Sequence, residues 1–172
     1  MDYSLIGKIQ KAKEYAEDPS RVTFNSFTVE FRGDNDTYII SLGPDGWQSN
    51  DRGFQTYGIS PQVMAMERMF GPMLKREPLP YASGQNVVSD VEKAKKYASQ
   101  PQRITFLSFN AGFRGDHNEY TINYEDGQWS CDNPYFMTHG VCSHTMAMER
   151  LLKGQVKPNV PAKQEVTAEG GA

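Results

Sequence analysis

Residues 11–34 read KAKEYAEDPSRVTFNSFTVEFRGD, and residues 93–116 read KAKKYASQPQRITFLSFNAGFRGD. The offset is 82 residues and holds without a gap. It carries Pro19, Arg21, Thr23, Phe24, Ser26 and Phe27 onto Pro101, Arg103, Thr105, Phe106, Ser108 and Phe109. Further along, Trp47 returns as Trp129, and Met64-Ala65-Met66-Glu67-Arg68 as Met146-Ala147-Met148-Glu149-Arg150. Between 11–70 and 93–152, 26 of 60 positions are identical. The chain is a tandem duplication, and each copy can be used to read the other.

Ser4 and Asn86 suit the N-caps of a first helix in each copy. Behind them Leu5, Ile9, Ala12 and Ala16 form one helical stripe, which Val87, Val91, Ala94 and Ala98 repeat. Pro19 and Pro101 stop the helices. Aromatic and β-branched stretches follow at 21–32 and 37–42, and again at 103–114 and 119–124, each pair joined by a Gly-Asp turn. Asp45-Gly46 and Asp126-Gly127 then turn into a short third strand bearing Trp47 or Trp129. After a loop, a second helix is expected at 61–70 or 143–153, the first entered through Ser60-Pro61.

Each copy thus reads α-β-β-β-loop-α. A unit of about 70 residues is small for an independent core, so the two are expected to pack on each other about a pseudo-two-fold axis. The expected fold is α+β: two tandem α-β-β-β-α units, each a small antiparallel sheet with two helices. The first repeat spans 1–70, a linker 71–85 and the second repeat 86–153. A flexible tail is expected over 154–172.

The composition, 38% hydrophobic and 23% charged over 172 residues, fits a folded soluble chain. No run approaches the apolar length of a membrane span, and the first residues lack the pattern of a secretory signal. A cytoplasmic protein is expected. With 18 Lys+Arg against 21 Asp+Glu the net charge is −3, a poor footprint for non-specific nucleic-acid binding.

The copies diverge where metal chemistry would lie. Cys131, His139, Cys142 and His144 stand where the first copy has Ser49, Tyr57, Ser60 and Gln62. Both cysteines of the chain and two of its three histidines fall within these 14 residues. Thiolate and imidazole are the donors zinc favours, and four of them close a tetrahedral shell, as in structural sites. One structural zinc per chain is therefore expected, joining the end of the hairpin to the start of the last helix. Two competing readings stay open: buried free cysteines beside surface histidines, and a Cys131–Cys142 disulfide, which a reducing compartment disfavours.

Over about 113–152 the second copy resembles the SWIM-type zinc finger, whose pattern is C-x-C, a loop, then C-x-H at the start of a helix. The matching residues are Cys131, Phe136, Gly140, Cys142 and His144, followed by Met146-Ala147-Met148. Trp129 stands where the first cysteine of C-x-C falls, and His139 is taken as the substitute ligand. The resemblance implies binding to DNA or protein, with the first copy a finger that has lost its metal.

Other features have plainer readings. The methionines at 64, 66, 69, 146 and 148 suit a helix core. Trp47, Trp129, Tyr38 and Tyr120 suit the apolar face of a sheet more than base stacking. Arg32-Gly33-Asp34 is explained as a hairpin turn, and Lys8, Lys11, Lys13, Lys93, Lys95 and Lys96 as solvated helix faces. No nucleotide-binding loop, nucleophile elbow or H-E-x-x-H motif is present, and no catalytic constellation is expected. Over 103–153 four cationic residues face six anionic ones. The function expected is a non-catalytic, zinc-stabilised adaptor that binds another protein. A nucleic-acid-binding finger is the alternative, and a thiol- and zinc-based redox regulator the second.

Overall fold

The computed structural model describes residues 3–160. The first copy runs α1 (Tyr3–Ala16), β1 (Val22–Arg32), β2 (Thr37–Gly43), β3 (Gly46–Ser49), α2 (Arg52–Tyr57) and α3 (Pro61–Leu74). The second runs α4 (Val87–Ala98), β4 (Ile104–Arg114), β5 (Glu119–Glu125), β6 (Gln128–Cys131), α5 (Pro134–His139) and α6 (Ser143–Leu151). A 3-10 turn, Pro19–Arg21 or Pro101–Arg103, leads into each long strand.

The fold is α+β, but the strands do not form two separate sheets. They make one six-stranded antiparallel sheet in the order β3-β2-β1-β4-β5-β6. Its centre is the β1–β4 pair, in which Phe27 faces Phe109, Val22 faces Phe113 and Phe31 faces Ile104. Since 27 and 109 are equivalent positions, the register is symmetric about that pair. The edges are the four-residue β3 and β6, too short to template much further pairing.

The helices do not close on their own copy either. α1 packs against α6, and α4 against α3, so each helix pair joins the two copies. Periodicity within one copy carries no information on this exchange, because a first helix presents the same stripe to either partner.

Two bulges align the core. Phe24 and Phe27 are three residues apart, as are Phe106 and Phe109, a spacing that would place them on opposite faces of a regular strand. Register shifts at Asn25 and Leu107, equivalent positions, return all four rings to the helical side. Phe24 stacks on Phe106 at 5.6 Å between centroids, Phe27 meets Trp47, Phe109 meets Trp129, and Phe70 of α3 closes over Phe24 and Phe106. Burying each phenyl ring is worth roughly 2 kcal/mol in transfer free energy. The opposite face carries small polar side chains, including an amide ladder from Asn25 through Asn110 to Asn123.

Ion pairs clasp the copies at both ends. Asp34 accepts from Lys96 and Arg103, and Asp116 from Lys11 and Arg21. Arg21 also donates to the carbonyl of Arg114, and Arg103 to that of Arg32. Each Arg-Gly-Asp turn is thus the receptor for an arginine of the other copy.

Three boundaries differ from the sequence reading. α1 begins at Tyr3, so Ser4 lies inside the helix, whereas Asn86 does cap α4 by accepting from Ser89 N–H. α3 continues through Pro72 into the stretch read as a linker and ends at Leu74, and the ammonium of its C-cap residue Lys75 donates to the carbonyls of Ser20, Val22 and Pro72. Residues 154–160 are docked instead of forming a tail. Gln155 is buried, its carbonyl accepts from Phe106 N–H, and Asn159 N–H donates to Glu149. These bonds engage the backbone of the segment and are invisible in a hydrophobic pattern. The remainder of the expected tail lies outside the described residues.

Candidate metal centre

Cys131 is the last residue of β6, on the same face as Trp129, and so points into the core. The chain then turns through Asp132, whose carboxylate accepts from Thr121 N–H, into α5, a six-residue helix inside the stretch read as a loop. α5 ends at Gly140 (φ 74°), a left-handed position that a residue with a Cβ adopts at a cost. That reversal delivers Cys142 to the N-cap of α6, with His144 in its first turn. The first copy makes the same path through α2 and Gly58 (φ 75°).

The result is a buried trio. The ligand atoms of Cys131, Cys142 and His144 all lie within 4.8 Å of one another. The three residues are 4%, 1% and 4% exposed. Cys142 Sγ lies 3.8 Å from His144 Nδ1, and Cys142 N–H donates to Thr145 Oγ1. The imidazole is held by aromatic neighbours: Tyr120 at 4.6 Å, Phe113 at 5.0 Å and Tyr15 of α1 at 5.5 Å between ring centroids. Its other nitrogen explains Gly115, where a Cβ would sit 3.1 Å from His144 Nε2.

The neighbouring Cys131 thiol, with further help from His144 and the Thr145 backbone, pulls the Cys142 thiol well below its ordinary range despite burial. Cys131 is pushed up, first by the neighbouring Cys142 and then by burial. The helix N-terminus favours a thiolate at Cys142, and a divalent cation would favour losing the proton of Cys131 as well. Two soft sulfur donors and an imidazole nitrogen fit zinc or a metal of similar preference, and fit magnesium or calcium poorly.

His139, the fourth residue expected, is placed outside this trio. Its ring stacks on Tyr135 at 3.8 Å, and Nδ1 is hydrogen-bonded to Thr138 Oγ1 and the Tyr135 carbonyl. Trp129 is placed in the core, where its indole N–H donates to the carbonyl of Lys157.

The first copy fills the equivalent space with hydrogen bonds. Asp51, 2% exposed, accepts from Ser49 Oγ (2.5 Å), Ser60 Oγ (2.9 Å) and Phe54 N–H (2.8 Å). One carboxylate thereby ties strand, short helix and long helix together. The sequence reading passed over Asp51; its signal was an acidic residue framed by the two serines that replace the cysteines.

The Trp47 and Trp129 rings are buried, and Met64, Met66 and Met148 lie in the core. Among the described residues no helix is long and apolar enough to cross a membrane. Compared with known proteins, the chain matches no family model, no curated protein and no solved structure.

Proposed function

We propose that Cys131, Cys142 and His144 hold one zinc ion and that the protein is a non-catalytic, zinc-stabilised module that binds another protein. The observation that carries this reading is the buried trio. It draws one ligand from the end of β6 and two from the start of α6, so a bound ion ties sheet to helix. A C-x-H pair at a helix start after a strand hairpin, with Gly140 before it, supports a SWIM-type relationship for the second copy. The Asp51 cluster supports reading the first copy as the same unit stabilised without metal.

Protein is the favoured partner because several of the features that would serve nucleic acid are engaged elsewhere. The tryptophan rings face inward, and Lys11, Lys96 and Lys157 each pair with an aspartate. Binding to DNA or RNA is expected to be undetectable even at about 50 mM salt, where phosphate contacts are strongest. A mobility shift there that weakens with salt would replace this reading with the nucleic-acid one. Burial of both thiols likewise weighs against a redox sensor, whose cysteines are normally accessible.

The experiment is elemental analysis of the purified, reduced full-length protein beside Cys142→Ser. One zinc per chain is expected in the wild type and none in the variant, whose Tm should fall. Zinc binding in small fingers is worth about 10–16 kcal/mol, so metal and stability should be lost together. A reduced wild type that takes up no zinc when it is supplied would overturn the reading.

A further inference from the structure

The duplication places the fourth corner of the centre. Cys131 and Cys142 correspond to Ser49 and Ser60, and in the first copy the side chain that reaches both is Asp51. Its counterpart in the second copy is Asn133. Asn133 keeps one of Asp51's two tasks: its Oδ1 caps α5 by accepting from Tyr135 N–H (3.0 Å) and Phe136 N–H (3.3 Å). Asp51 has a second carboxylate oxygen for the serines. Asn133 has only an NH₂, a donor group that does not ligate a cation.

A cavity of about 470 Å³ opens on this same corner, between α1 and the β4–β5 turn. Its wall includes Asn133, Ser143 and His144 on the metal side and Lys8, Lys11 and Asn118 towards solvent. Here the two copies differ in charge, since Lys8 corresponds to Asp90. The Lys8 ammonium lies 4.9 Å over the Tyr135 ring and pairs with no carboxylate among the described residues. Lys11 is held on Asp116 at 2.8 Å.

We propose that the metal centre has one exchangeable coordination position, on the Asn133 side, which a small anionic donor reaches through this cavity. The inference rests on the trio being a metal site and adds what completes it. Three protein donors leave one position of a tetrahedral ion to an outside ligand. Position 133 is where the protein could have closed that shell and does not. Lys8 at the mouth favours an anion over a neutral donor. Water takes the position when no anion is bound.

The test is the visible spectrum of the full-length protein loaded with Co(II), titrated with sodium azide. The d–d bands of the wild type should move and saturate. Asn133→Cys should bind Co(II) more tightly, by about tenfold or more, with bands that azide does not move. Asn133→Asp, which keeps the helix cap as Asp51 does, should also blunt the azide response. Lys8→Ala should weaken azide binding several-fold with the Co(II) affinity unchanged. A Co(II) spectrum inert to azide in the wild type overturns this inference and leaves the metal centre standing. No Co(II) binding at all overturns the metal reading and this inference together.

Discussion

Removing the carboxylate of Asp51 would leave two buried hydroxyls and a backbone N–H without their acceptor. Each such group costs about 1–3 kcal/mol, less what rearrangement recovers. Asp51→Ala is therefore expected to lower the unfolding free energy by on the order of 3 kcal/mol, read from urea denaturation, with zinc content unchanged. Asn133→Ala removes only a helix cap, worth about 1 kcal/mol. Equal losses in the two variants would mean that Asp51 acts as a cap and not as the tie between Ser49 and Ser60. The convergence of Cys131, Cys142 and His144 was legible in the sequence, because residues absent from the first copy cluster in the second. The separation of His139 was not. Its chemistry suits zinc, but its place at the C-terminal end of a short helix lets it stack on Tyr135.

At the scale of elements, the strands were readable from their aromatic and β-branched runs, and the long helices from their stripes, although Ile9 of the first stripe is exposed and Tyr15 and Tyr97, outside the stripes, are buried. α2 and α5 were missed because six residues show no periodicity, although Gly58 and Gly140 mark their ends. The clasps at Asp34 and Asp116 give acid sensitivity with a definite sign. Hydrogen bonds from Lys96 and Lys11 hold these carboxyls below the usual value of 3.8. A lowered carboxyl contributes stability that is present above the ordinary value and is lost as pH falls through the folded one. An Asp34→Asn, Asp116→Asn double variant should therefore show a flatter decline in urea midpoint below about pH 5 than the wild type. Glu67 and Glu149 act with the opposite sign, since burial raises both above the usual value of 4.5. Their contribution is present below that value and lost as pH rises through the raised one. Glu149→Gln, which keeps an oxygen for Asn159 N–H, should raise Tm near neutral pH, with the gain fading below about pH 4. A gain that persists in acid would show that its cause is not charge.

For the molecule as a whole, the sequence revealed a duplication but not how the halves interlock. Equivalent stripes on α1 and α4 satisfy an arrangement in which each copy closes on itself as well as the observed exchange. The decision lies in tertiary contacts: the ion pairs to Asp34 and Asp116, and Tyr15 lying against His144. Because Tyr15 belongs to the first copy and His144 to the second, the surroundings of the candidate metal centre are built from both. Metal removal should consequently loosen α1 together with α6, and leave α3 and α4 protected. Hydrogen exchange with and without chelator would read this directly; uniform loosening would mean that the halves do not respond separately.

The symmetric β1–β4 register has a consequence for ancestry. A strand that pairs antiparallel with its own equivalent, Phe27 on Phe109, is also a strand that can pair with itself. One repeat made as a separate polypeptide would present the same strand edge and helix stripe to a second copy, the elements of a two-fold dimer with first helices traded between the subunits. Gene fusion would then have turned two identical subunits into one chain. It would also have let the two equivalent corners diverge, one into the Asp51 cluster and the other into Cys131, Cys142 and His144.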